Sequence, residues 1–136
     1  MVVDIAYRLS TLGFLALDDG VHNGNYFLSD QIAALEWVQK HIESFGGDPS
    51  RVTIFGESAS AESVNALMVS PKGKGLFHGA ILQSNYYQPY VPLVTAVNQS
   101  TTPILNLTGC GAAANQLECL QAYNATELLG LKTVFK

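Results

Sequence analysis

Between Ser29 and Phe45 the apolar positions Ile32, Leu35, Val38, Ile42 and Phe45 recur at helical spacing, so the segment predicts a helix with one apolar stripe. Ser29 supplies an N-capping side chain, and Asp30 puts an anion in the first turn, where the helix dipole favours it. Gly46-Gly47 predicts the stop and Asp48-Pro49 the turn that follows. The texture then changes. Arg51-Val52-Thr53-Ile54-Phe55 is short and rich in branched residues, which predicts a fully buried strand. A second helix is expected from Ser58 or Ala59 to about Met68, closed by Ser70-Pro71, and Ala80-Ile81-Leu82-Gln83 reads as another strand. Residues 2–7 carry the same branched, apolar signature and read as a core strand. Residues 8–24 read as a loop, with turn signals at Gly13, Asp18-Asp19-Gly20 and Asn23-Gly24. Strands alternating with helices predict an α/β fold around a mostly parallel sheet.

After Gln88 the pattern loses its strands. Small and polar residues dominate to about Thr102, and residues 112–122 and 126–131 predict short helices. Pro103 is badly placed for one long helix through this region. The expected organisation is one partial domain over residues 1–136, with a sheet core in 1–88 and a helical elaboration in 89–136.

Composition narrows the class. Of 136 residues, 48% are hydrophobic and 13% charged, enough apolar side chain to support an ordered core. The formal charge is −4 and no basic stripe occurs, so a nucleic-acid partner is not expected. No run approaches the roughly 18 apolar residues of a transmembrane helix. Two cysteines cannot complete a structural zinc site, and no cofactor or metal is expected. Met1-Val2-Val3-Asp4-Ile5 is too short and lacks the basic flank of a signal peptide. A chain that opens inside a core strand is expected to be an internal piece of something longer.

The candidate chemistry is concentrated in Gly56-Glu57-Ser58-Ala59-Ser60, between a strand-like run and a helix-like run. A serine on a sharp strand-to-helix turn has its hydroxyl lifted clear of the backbone, and the next N–H lies at a helix N-terminus, open to an oxyanion. The turn demands small residues two positions either side of the serine. Gly56 meets that demand, while Ser60 stands where a glycine is usual. A structural Gly-x-Ser turn without a nucleophile is the competing reading, and the strand-before, helix-after context disfavours it.

The run Phe45-Gly46-Gly47-Asp48-Pro49-Ser50-Arg51-Val52-Thr53-Ile54-Phe55-Gly56-Glu57-Ser58-Ala59 resembles the type-B carboxylesterases, the group that includes cholinesterases and some fungal lipases. Tyr7-Arg8-Leu9, Gly24-Asn25-Tyr26, Asp30-Gln31, Gly75-Leu76-Phe77-His78 and Ala80-Ile81-Leu82-Gln83-Ser84 follow in the order and spacing of that family. The resemblance implies an α/β-hydrolase fold and ester hydrolysis through an acyl-enzyme. It makes Ser58 the nucleophile and Ala59 a backbone oxyanion donor. It matches Glu57 to a buried acidic neighbour distinct from the triad acid, and Ser63 to a buried serine nearby. It also implies a disulfide between Cys110 and Cys119, in the region of a short cystine loop. In such hydrolases the acid and the histidine follow the serine in the chain, and the family places both beyond the residues present here, with the glycine-rich oxyanion loop before them. The implied substrate is a small-molecule or lipid ester.

Local residues do not fill those roles on the sequence alone. His22 sits in a polar loop, His41 on the edge of the first helix, and His78 before a strand at a family position that is not catalytic. Glu62 is about one turn along the second helix, and Glu118 and Glu127 fall among the later helices. Tyr86, Tyr87 and Tyr90 follow a strand's C-terminal end, where they could border a pocket or simply pack. Three N-x-S/T sequons, at Asn98, Asn106 and Asn124, point with the cysteines to a secreted or secretory-pathway parent. The function expected is carboxylic ester hydrolysis. The alternative is a non-catalytic, cholinesterase-like interaction protein.

Overall fold

The computed structural model describes residues 1–85 and 90–131, and the described chain divides into two compact units. One is built from residues 1–7 and 27–85, the other from 8–26 and 90–131. The loop-like segment 8–26 therefore goes with the C-terminal helices rather than with the sheet.

The first unit carries the sheet. Helix α2 spans Tyr26–His41 and continues as a tighter 3₁₀ turn, Ile42–Phe45 (α1, Ser10–Phe14, lies in the other unit). α2 begins three residues before the expected Ser29, so Ser29 does not cap it and Asp30 lies beyond its first turn. The break is set upstream instead, where Gly24 and Asn25 both take positive φ (81° and 58°) and cannot continue a helix. The other end forms as expected. Gly46, at φ 79°, ends the helical run, and its N–H bonds Glu43 O. Ile32, Leu35, Val38 and Ile42 are buried along the expected stripe, but Phe45 is exposed and rests against Trp37 with ring centroids 5.6 Å apart. Gln39 Nε2 donates to Pro49 O (2.9 Å) and Leu76 O (3.0 Å), fastening the end of α2 to the segments that lead into the two strands.

Strand β1 is Thr53–Glu57, helix α3 is Ala59–Val69, and strand β2 is Gly79–Gln83. β1 and β2 pair in parallel, from Thr53 opposite Gly79 to Glu57 opposite Gln83. α3 is the crossover that parallel strands require. Ile54 turns to an apolar cluster with Ile32, Leu35 and Leu67, joined by Leu28, Val52, Leu76 and Phe77. The opposite face is bare: Phe55 is 61% exposed and its partner Ile81 51%. β1 is therefore not the fully buried strand that its sequence predicts, and it sits two residues later than expected. Residues 2–7 form no strand either. Among the described residues no second backbone pairs with them, and Val2 is exposed. An apolar, branched run becomes a strand only when a second backbone meets its N–H and C=O groups.

The second unit is helical: α1, then α4 (Leu93–Ala96), a π-helical segment (Val97–Thr101), α5 (Thr102–Thr108), α6 (Gln116–Ala122) and α7 (Ala125–Gly130). Ile104, Leu105, Cys110, Leu120 and Leu128 form its core, with Leu15 and Leu17 packed against them. Pro103 is tolerated because the wide π turn lies just before it. A proline removes one helical N–H and crowds the carbonyl four residues back, here that of Gln99, which lies in that turn. Cys110 and Cys119 form the expected disulfide, with Cα atoms 5.7 Å apart. Thr101 is 1% exposed, and its hydroxyl accepts from Ala16 N (3.3 Å) and donates to Ala16 O (2.7 Å). That pairing satisfies a buried polar group.

Candidate active site

The chain turns from β1 into α3 at Ser58. Its φ of 53° and ψ of −121° leave the regions that L-residues prefer, so this is a strained strand-to-helix elbow. Three backbone hydrogen bonds hold the strain in place. Ser58 N–H donates to Gln83 O at the end of β2 (3.0 Å), and Ser58 O accepts from Ala61 N (2.9 Å) and Glu62 N (3.2 Å). The residue is thus pinned to the sheet on one side and to the first turn of α3 on the other, and it stays exposed.

Small neighbours make the elbow possible. A Cβ on Gly56 would stand 2.4 Å from Ser60 O and 2.5 Å from Ser60 C, so the backbone of Ser60 occupies the space a side chain would need. Ser60 in place of glycine is compatible, because its contact with Gly56 is through the main chain and the residue is exposed. Ala59 is the first residue of α3, and its N–H has no helical acceptor. Ser63, 9% exposed, turns its hydroxyl back to Ala59 O (3.3 Å), four residues earlier, which ties it to the first turn of α3. Glu57 stands exposed at the end of β1, not buried as the resemblance implied. Among the described residues the sheet has two strands, and Glu57 lies on the face that also exposes Phe55.

Two further groups have surroundings that the sequence does not show. Ser84, one residue past the last register pair, also takes positive φ (53°), so both strands end in a polar residue followed by a left-handed serine. Glu57-Ser58 and Gln83-Ser84 share that pattern, which was the available signal. Glu62 lies in the first turn of α3, and its Oε1 is closed off from solvent with no hydrogen-bond partner among the described residues.

No histidine of this unit reaches the Ser58 hydroxyl. His78 lies opposite Val52 at the entry to the strands, its N–H bonded to Val52 O (2.7 Å). The register puts it six positions, or about 20 Å, from the elbow. The His41 ring lies tilted against Trp37 (centroids 5.1 Å apart) at the end of α2 that Gln39 fastens to the same strand entry. His22 belongs to the other unit, where Nδ1 lies 2.7 Å from Asp19 Oδ2. Asp19 caps that turn: it accepts from His22 N (2.6 Å) and Val21 N (3.0 Å), and these bonds, the first above all, lower its pKa to about 2. Tyr86 and Tyr87 lie outside the described residues, and Tyr90 is exposed. Among the described residues no cluster of three metal-ligating side chains occurs, and no helix is long and apolar enough to cross a membrane.

Residues 1–135 match the Carboxylesterase family. The chain is similar to an acylcarnitine hydrolase of Mus musculus (46% identity over 139 residues, covering 100% of this chain and 25% of that protein). It is also similar to a cocaine esterase of Homo sapiens (42% over 138 residues, 100% of this chain and 25% of that protein). Among solved structures it resembles a PNB esterase with a TM-score of 0.81 and 40% identity, over 91% of this chain and 26% of that one. The chain thus spans about a quarter of the length of these relatives.

Proposed function

Because the chain belongs to the carboxylesterase family, we propose that it carries the nucleophilic elbow of a carboxylic ester hydrolase, with Ser58 as the nucleophile. The observation that carries this reading is the exposed Ser58 at φ 53°, ψ −121°, on a turn made possible by Gly56. The serine hydroxyl attacks the ester carbonyl and the alcohol leaves, forming an acyl-enzyme that water then cleaves. The N–H of Ala59 stabilises the negative charge on the carbonyl oxygen. The general base and its orienting acid come from outside the residues described here, as does the glycine-rich loop that adds oxyanion donors. The substrate class is a small-molecule or lipid ester. The Cys110–Cys119 disulfide and the sequons at Asn98, Asn106 and Asn124 support a secretory setting.

A serine without a base is a weak nucleophile. The 136-residue chain should therefore show no saturable hydrolysis of a short-chain nitrophenyl ester above a Ser58→Ala control. A protein carrying Ser58 at the full length of its relatives should be labelled by a fluorophosphonate at that serine. Saturable turnover by the short chain would mean that a local residue completes the site. A folded full-length protein that resists labelling would favour the non-catalytic interaction reading.

A further inference from the structure

The three sequons are equivalent in sequence but not in structure. Asn98 lies within the π-helical segment and Asn106 within α5, so the main chain of each is committed to helical hydrogen bonding. The Thr108 hydroxyl of the second sequon is turned back to Ile104 O (2.8 Å) and Leu105 O (3.3 Å). Asn124 is different. It stands just before α7 in extended conformation (φ −63°, ψ 124°) and is exposed, as are Ala125 and Thr126. Its Oδ1 accepts from Thr126 N (2.9 Å) and Glu127 N (3.1 Å), which bends the Asn-Ala-Thr segment into a side-chain-closed turn. All of the capping is done by Oδ1. The amide nitrogen Nδ2 has no part in it, and an N-linked sugar would leave the carbonyl oxygen intact. Capping and glycosylation can therefore coexist at this residue. The second observation is the Cys110–Cys119 disulfide in the same unit, which fits a chain that folds in an oxidising compartment, where such sugars are attached.

We propose that Asn124 carries an N-linked oligosaccharide. The donor class is an oligosaccharide joined through its anomeric carbon to an isoprenoid diphosphate, with a membrane-bound transferase as catalyst. Asn124 Nδ2 forms a bond to that carbon, the bond from the carbon to the diphosphate oxygen breaks, and the lipid diphosphate leaves with the electron pair. The amide nitrogen gives up one proton. No oxidant or reductant takes part.

The test is translation of the complete chain behind a cleavable secretory leader in the presence of microsomes. Membrane-protected product is then treated with peptide-N-glycosidase and mapped by mass spectrometry. This readout does not require the chain to be secreted. The expected result is conversion of Asn124 to aspartate in the peptide map, and the loss of one glycan's mass in both Thr126→Ala and Asn124→Ser. Those two variants separate glycan from cap: the first keeps the Asn124 carbonyl, and the second replaces it with a hydroxyl that also caps. Both should therefore retain the circular dichroism and melting temperature of the unglycosylated parent. An unmodified Asn124 in translocated chains, or variants that keep the full glycan mass, would overturn the proposal.

Discussion

A methyl group at position 56 would meet main-chain atoms, 2.4 Å from Ser60 O and 2.5 Å from Ser60 C, and main chain cannot swing aside as a side chain can. Gly56→Ala should therefore open the elbow and destabilise the chain by about 1–3 kcal/mol, the usual range for overpacking. Thermal unfolding reads the loss, and an unchanged melting temperature would mean that the elbow is looser than its geometry. Asp48 offers a different single-residue test. Its carboxylate accepts from Ser50 Oγ (2.6 Å), Ser50 N (2.9 Å) and Arg51 Nε (2.7 Å). These bonds, led by the Ser50 hydroxyl, lower its pKa from 3.8 to about 2. A depressed acid favours the folded chain while ionised. Its contribution is thus complete above about pH 4 and fades as the pH falls through about 2. In urea titrations between pH 6 and 2, Asp48→Asn should flatten the acid limb of the stability curve, and the gap between variant and parent should close toward pH 2.

At the scale of the element, the disulfide is the sharpest lever. Cys110 and Cys119 close a loop across a sequence separation of 9. Replacing both with serine should cost ~2–3 kcal/mol through the freed unfolded chain. Equal denaturant midpoints with and without the bond would show that the unfolded chain gains nothing from losing it. The same scale separates what sequence could and could not fix. The elbow was legible because Gly56, Ser58, Ala59 and the flanking runs lie within a few residues of one another, and local sterics decide such a turn. The C-terminal end of α2 was legible for the same reason, with Gly46 supplying the positive φ. Its start was not, because Asn25 adopts positive φ without being a glycine, while Ser29 is the first residue of the run with a good capping side chain. Residues 2–7 failed for a reason of another kind. Alternation and branching describe a backbone ready to pair, whereas pairing itself depends on a partner distant in the chain. The groups that would act on Ser58 are hidden by that same distance.

For the molecule as a whole, the sheet decides behaviour in solution. Two strands with one face covered leave Phe55 and Ile81 side by side and 61% and 51% exposed. Apolar surface on a short, open-edged sheet invites a second backbone to pair and a second apolar face to stack. The isolated chain should therefore self-associate as concentration rises. Light scattering after size-exclusion chromatography should show that Phe55→Ser with Ile81→Ser weakens the association. Association of equal strength in the double variant would place the sticky surface elsewhere. The two substitutions spare the inner pair, Ile54 and Ala80, and with it the cluster that seats α2 and α3.

The backbone at Ser58 has an evolutionary reading. A main chain held at φ 53°, ψ −121° by three hydrogen bonds is a seat that glycine would take with less strain. If folding were all that mattered, random substitution would drift toward glycine there, at a saving of about 1–3 kcal/mol, the range for one strained residue. Serine at such a seat is therefore a small, persistent load on the fold. A lineage that stopped needing the hydroxyl would be expected to shed it early, and position 58 would register that loss of need before the core did.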